Sequence, residues 1–105
     1  MEQSVSRMNP KDRKAELFEH AMTLAAASGY MRVTRSAIAE AGGVTEGLVT
    51  HYFGTMTTLR RDIMRAAVKR RVLPIVAQGM AMGEKAALKA PEDLRKEAAS
   101  WSMTR

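Results

Sequence analysis

Residues 34–53, TRSAIAEAGGVTEGLVTHYF, decide the fold. Thr34 can cap a short helix whose apolar face is Ile38 and Ala39. Gly42-Gly43 breaks that helix, and Val44 plugs the turn. Thr45 then caps a second helix carrying Leu48, Val49 and Tyr52. Ser, Thr, Asp or Asn just ahead of an apolar run marks a helix start, and glycine just beyond it marks a stop. Two short helices held at a steep angle by a tight glycine turn form a helix-turn-helix, whose second helix fits the DNA major groove.

Outward from this unit, Asn9-Pro10 is a helix start, with Asn9 as N-cap, Pro10 at the first helical position and Asp12 in the first turn. That helix runs to Ser28 and stops at Gly29. Leu17, Ala21, Leu24 and Ser28 share a face, flanked by Phe18, Met22 and Ala25. Tyr30 to Val33 is a linker whose apolar members close the core. Downstream, Gly54 ends the second short helix and Thr55 caps a fourth, with Leu59, Ile63, Ala66 and Ala67 buried. Its other surface carries Arg60, Arg61, Arg65, Lys69, Arg70 and Arg71. Pro74 ends or kinks it. Residues 75–83, IVAQGMAMG, are apolar but hold two glycines, which predicts a short, irregular or frayed helix. Ala87, Pro91, Leu94, Ala98 and Trp101 then follow a 4-3-4-3 spacing, a seam that packs on another helix of the chain or across a dimer interface.

The expected fold class is all-α: a three-helix helix-turn-helix domain, a longer fourth helix and a short helical tail. The expected divisions are a flexible arm at 1–8, a DNA-binding domain at 9–73, and a tail at 74–105 that serves dimerisation through Leu94, Ala98 and Trp101.

Composition bounds the function. The 105 residues suffice for one domain with a modest core. Absence of cysteine excludes disulfides and thiolate metal sites, and fits a reducing cytoplasm. The polar start MEQSVSRMNPKDRK lacks a signal peptide's apolar region, and no run approaches the roughly 18 apolar residues of a membrane span. The net charge of +6 is uneven: residues 61–105 carry ten Lys/Arg against five Asp/Glu, whereas residues 1–60 carry seven against six. A basic surplus attracts phosphate backbones, and equally serves solubility.

The ordered set Leu17-Phe18, Ala21, Leu24, Gly29-Tyr30, Thr34, Ile38-Ala39, Gly43-Val44-Thr45-x-Gly47, His51-Tyr52-Phe53-Gly54 and Leu59 resembles the N-terminal DNA-binding domain of TetR-type transcriptional repressors. The resemblance covers residues 17–63. It implies repression by blocking polymerase access, and a phosphate contact by the Tyr52 hydroxyl. Four positions depart from the family pattern. Thr50 replaces a tyrosine that commonly touches a phosphate, and Met56 replaces a lysine aimed at the backbone. Thr58 stands where an acid completes the capping box. Ala25 stands where phenylalanine is common. Family members also continue for roughly 100 further residues as an inducer-binding domain, too long for the 42 residues that follow Ile63 here. A dedicated small-molecule inducer is therefore not expected.

The candidate DNA-binding residues follow from these helices. Thr34, Arg35 and Ser36 open the first short helix, where hydroxyls, N–H groups and a guanidinium bind phosphate and fix register. On the recognition helix, Thr45, Glu46, Thr50 and His51 offer polar groups, Gly47 permits close approach to a sugar or base, and Leu48 or Val49 can touch a thymine methyl. Glu46 either accepts from a cytosine amino group or stabilises the helix start. Lys11 and Lys14 sit where the arm meets the first helix. His51 has no partner histidine and His20 is structural, so neither a metal nor a catalytic site is expected. No cofactor and no catalytic residue is expected either, because paired carboxylates, a nucleophile with a base, and a phosphate-cradling glycine loop are all missing. The expected partners are double-stranded DNA and a second copy of the chain, since two-fold dimers read inverted repeats. The alternative is a protein-interaction module on an altered helix-turn-helix fold, docking a partner through the Met-rich, Trp101-bearing tail. A membrane-surface role for the basic fourth helix conflicts with the need for Leu59 and Ile63 in the core.

Overall fold

A computed structural model describes residues 9–104; the expected arm at 1–8 lies outside the described residues. The fold is all-α. Seven helices run in order: α1 Pro10–Ser28, α2 Arg35–Gly42, α3 Glu46–Phe53, α4 Met56–Arg70, α5 Leu73–Met82, α6 Lys85–Leu88 and α7 Glu92–Met103, with a 3-10 turn at Tyr30–Arg32. The first four begin on an oxygen side chain. Asn9 Oδ1 accepts from the Asp12 N–H, and the hydroxyls of Thr34, Thr45 and Thr55 accept from the N–H groups of Ala37, Leu48 and Thr58, at 2.9–3.1 Å. Each cap satisfies one of the amide donors that a helix start leaves unpaired.

The two glycines of the α2–α3 turn act differently. Gly43 adopts φ 68°, ψ 35°, the left-handed conformation, and its N–H bonds back to Ala39 and Glu40. Gly42 is helical; a Cβ there would stand 2.4 Å from Leu17 Cδ2, so α2 lies on α1 only because that position has no side chain.

Along α1 the buried residues are Leu17, Ala21, Met22 and Ala25. Leu24 is half-buried and Ser28 exposed, so the stripe turns from the expected 24/28 row to 22/25. The reason is that α1 packs against α2, α4 and α5 at once. Tyr30 and Val33 close the core as expected, whereas Met31 is exposed. On α4, Met64 joins Leu59, Ile63 and Ala67 in the core, and Ala66 is half-buried.

The C-terminal third departs most from the sequence reading. Pro74 does not end α4, which stops at Arg71 in the left-handed region (φ 58°) with its N–H bonded to Ala67 and Val68. Pro74 instead stands in the first turn of α5, where its missing N–H costs nothing. Nor is 75–83 frayed: α5 is a regular ten-residue helix. Gly79 lies buried inside it because α4 and α6 press on that spot; a Cβ would come within 2.5 Å of Met64 Cε and 2.9 Å of Ala87 Cβ. Gly83 is the left-handed C-cap.

Buried residues form one cluster reaching from Leu17 to Ala98, and the division expected between 73 and 74 falls inside the first turn of α5. The Gln78 side chain of α5 accepts the Tyr30 N–H, tying α5 to the lead-in of α2. Leu94 and Ala98, assigned above to dimerisation, are fully buried within the single chain, where α7 packs on α5. They belong to the chain's own core, as the 4-3-4-3 seam equally allowed; Trp101 is half-buried.

Candidate nucleic-acid interface

The sequence of α3 places opposite chemistries on opposite sides. Val49 and Phe53, four residues apart, are buried, and Leu48 is half-buried. Glu46, Gly47, Thr50 and His51 are exposed and share the outer side by their three- and four-residue spacings. Thr45 is exposed too; its hydroxyl oxygen accepts from the Leu48 N–H, which leaves its O–H proton free to donate. Tyr52 is half-buried, with its ring edge-on to His51 at 5.3 Å between centroids and 6.4 Å from Phe53.

Gly47 is the least explained residue of this helix from within the protein. A Cβ there would meet only Thr45 Oγ1, at an ordinary 3.8 Å. Glycine within a helix is about 0.8–1 kcal/mol less favourable than alanine. Gly42 and Gly43 are each required by the fold; Gly47 is not.

At the start of α2, Thr34 and Ser36 are exposed and Arg35 is half-buried. The Nε of Arg35 is shielded from solvent and has no hydrogen-bond partner within the described residues. Such groups are rare, because desolvating a donor without a partner is unfavourable. The lead-in to α2 is fixed from α4 by Arg60, whose Nη2 donates to the Val33 carbonyl at 3.4 Å.

Lys11 and Lys14 are exposed in the first turns of α1. The Lys14 ammonium lies 5.9 Å from the centre of the Phe53 ring, which brings the start of α1 beside the end of α3. The two lysines border a groove of about 350 Å³ that also contains Phe18, Phe53, Glu19 and Asp62, so part of their charge faces carboxylates.

At the start of α4, Met56 is half-buried against the core and offers no cation. Thr55 donates its hydroxyl to Thr58 Oγ1 at 3.0 Å while accepting the Thr58 N–H. Thr58 therefore pairs with the cap side chain and does not close a capping box. Thr57 is exposed in the same turn and was not singled out from the sequence; three threonines among the four residues 55–58 are the signal it left.

The basic run Arg60–Arg71 is not one surface. Arg70 grips Glu19 with both terminal nitrogens, at 2.8 and 2.9 Å, and lies against the Phe18 ring. Arg71 binds Asp93 at 2.8 Å and Glu97 at 3.4 Å on α7. Both are held by carboxylates. Hydrogen bonding to Arg71 holds the Asp93 carboxyl below the usual carboxylate range. Burial first, and then the neighbouring Glu84 carboxylate, push the Tyr30 phenol up to about 12.

Among the described residues no cluster of His, Asp and Glu could hold a metal ion, and no helix is long and apolar enough to cross a membrane. No curated protein and no solved structure matches the chain. Residues 14–63 match the family described as bacterial regulatory proteins, tetR family. This match spans α1 from Lys14 through the α2–α3 unit to the Ile63 turn of α4, the segment that holds the Gly42–Leu17 approach and the three threonine-capped helix starts described above. Residues 14–63 are a tetR-type N-terminal helix-turn-helix DNA-binding domain.

Proposed function

We propose that the chain is a sequence-specific transcriptional regulator, a repressor that binds a palindromic operator as a homodimer in the cytoplasm. The observation that carries this reading is the outer side of α3. Glu46, Thr50 and His51 stand exposed around Gly47, a glycine with no packing role. A helix surface with polar groups around a bare backbone suits close approach to base edges and sugars. The exposed start of α2 complements it, since the half-buried Arg35 has an unpartnered Nε. A phosphate oxygen at that position would satisfy the donor and neutralise the charge. In this arrangement Thr34, Arg35, Ser36, Lys11, Lys14 and the Tyr52 hydroxyl position the duplex, while Thr45, Glu46, Thr50 and His51 discriminate bases. One recognition helix reads only a few base pairs, and a two-fold pair places two of them about 34–36 Å apart, or a multiple of that distance.

The test is a binding selection from a random duplex library with the purified protein. The expected product is an inverted repeat with half-sites one or more helical turns apart. Recovery of sequences no tighter than random duplex would sink the sequence-specific reading; a single, non-repeated motif would sink the dimer.

A further inference from the structure

The described surface holds a second concentration of positive charge, away from α3. A cleft of about 590 Å³ opens between α4 and α6, lined by Arg61, Arg65, Glu84, Lys85, Ala86 and Lys89. Arg61 and Arg65 lie one helical turn apart on α4, and Lys85 and Lys89 bracket α6 with the same spacing, so two cationic rows face each other. All four side chains are exposed, and among the described residues none makes an ion pair or side-chain hydrogen bond. The contrast with Arg70 and Arg71 is sharp, because the next turn of α4 finds acids on α1 and α7. The one carboxylate in the lining is Glu84, so the cleft carries four cations to one anion. That balance leaves the depression net positive, and a cleft lined mostly by one sign focuses its field on an anion of the other.

The lining also says what kind of anion fits. No aromatic ring is present to stack a base, and no neutral amide or hydroxyl side chain to read one. The chemistry matches repeated phosphate charges. The position fits as well: α4 packs on the Tyr30–Arg32 turn, and Arg60, beside Arg61, donates to Val33, so the cleft adjoins the lead-in to the start of α2. We propose that this cleft grips the phosphate backbone of the bound duplex outside the footprint of the recognition helices. The proposal rests on the DNA-binding reading and extends the anchoring surface beyond residues 14–63, onto α6. It supplies backbone charge in a protein whose positions 50 and 56 hold threonine and methionine.

The test uses the full chain and an operator recovered by the selection above, as two duplexes. One is trimmed to the recognised base pairs, and the other is extended by about one helical turn, ~10 bp, on each side. Lys85→Gln/Lys89→Gln and Arg61→Gln/Arg65→Gln are compared with Lys69→Gln/Lys96→Gln, which removes the same charge outside the cleft lining. Wild type is expected to bind the extended duplex at least about tenfold more tightly, with a steeper salt dependence. Each cleft pair should lose that gain and flatten the log–log salt slope by roughly 1.8, from two lost phosphate contacts, while the control pair keeps both. Equal losses in cleft and control pairs, or no gain from extension in wild type, overturn the cleft. Tighter binding of inorganic polyphosphate than of extended duplex at matched phosphate concentration, abolished in the cleft pairs, overturns duplex as the occupant. Failure of wild type to select any operator sinks this proposal and the DNA reading together. A recovered operator with unaffected cleft pairs sinks the cleft alone.

Discussion

Replacing Gly47 with alanine should make the protein more stable and a worse DNA binder. In the free protein the added methyl group meets nothing closer than Thr45 Oγ1 at 3.8 Å, so no steric cost offsets the gain in helix propensity. Gly47 is the second residue of α3, in its first turn, and the gain there should be about 0.5–1 kcal/mol. For a domain of this size that raises the melting temperature by roughly 2–8 °C, read by far-UV circular dichroism. In the complex, the same methyl would be forced into a surface already in contact. Overpacking a close contact costs about 1–3 kcal/mol, or roughly 5- to 150-fold in dissociation constant at fixed salt. Opposite signs in the two assays are the signature. A variant that is stabilised yet binds its selected operator as tightly as wild type would refute the placement of Gly47 against DNA. A destabilised variant would refute the claim that the fold has no use for a glycine there.

Arg35→Ala should weaken binding to all duplexes by a similar factor and reduce the salt slope by about 0.9, whereas His51→Ala should change the ranking of sites more than the slope; fluorescence anisotropy on a site panel separates the two. Gly79→Ala should destabilise by about 1–3 kcal/mol in denaturant unfolding, because Met64 can swing away from the new methyl but the Ala87 Cβ at 2.9 Å cannot. Leu94→Ala should cost about 2–5 kcal/mol, with a difference from wild type that does not vary with protein concentration, since that side chain is buried within one chain. The Asp93 carboxyl is lowered in the folded state, so its bond to Arg71 stabilises above the usual aspartate pKa of about 3.9 and fades as pH falls through the lowered value. Wild type and Asp93→Asn should therefore differ near neutral pH and converge as pH falls through the lowered carboxyl value, by thermal melts at low ionic strength.

The caps and the first four helices were legible because each is written locally. Asn9, Thr34, Thr45 and Thr55 stand one residue before their helices, and Gly29, Gly43 and Gly54 one residue after the first three. The exposed side of α3 followed from the same spacing that buried Val49 and Phe53. What escaped the sequence depended on contacts between distant segments. Gly79 read as a helix breaker because propensity is a local quantity, yet α5 holds it where Met64 and Ala87 leave no room for a side chain. Gln78 was the lone polar residue in an apolar stretch, and only its fit to the Tyr30 N–H, 48 residues earlier in the chain, explains it. The fourth helix was expected to reach Pro74, but Arg71 adopts a left-handed conformation that its sequence does not favour, with Asp93 and Glu97 holding its side chain.

The same long-range contacts redistribute the positive charge. On sequence alone the cations of α4 form a single run. In the fold they divide: Arg60 braces the carbonyl of Val33, Arg61 and Arg65 face the lysines of α6, and Arg70 and Arg71 fasten α4 to α1 and α7. A charge already bound to a carboxylate releases few counterions on meeting DNA, so only the unpaired cations should contribute strongly to the salt dependence. Duplex anchoring is then expected to depend on the start of α2 and on the α4–α6 cleft. The acids on α1 and α7 that neutralise Arg70 and Arg71 should make the far end of α4 a poor phosphate surface.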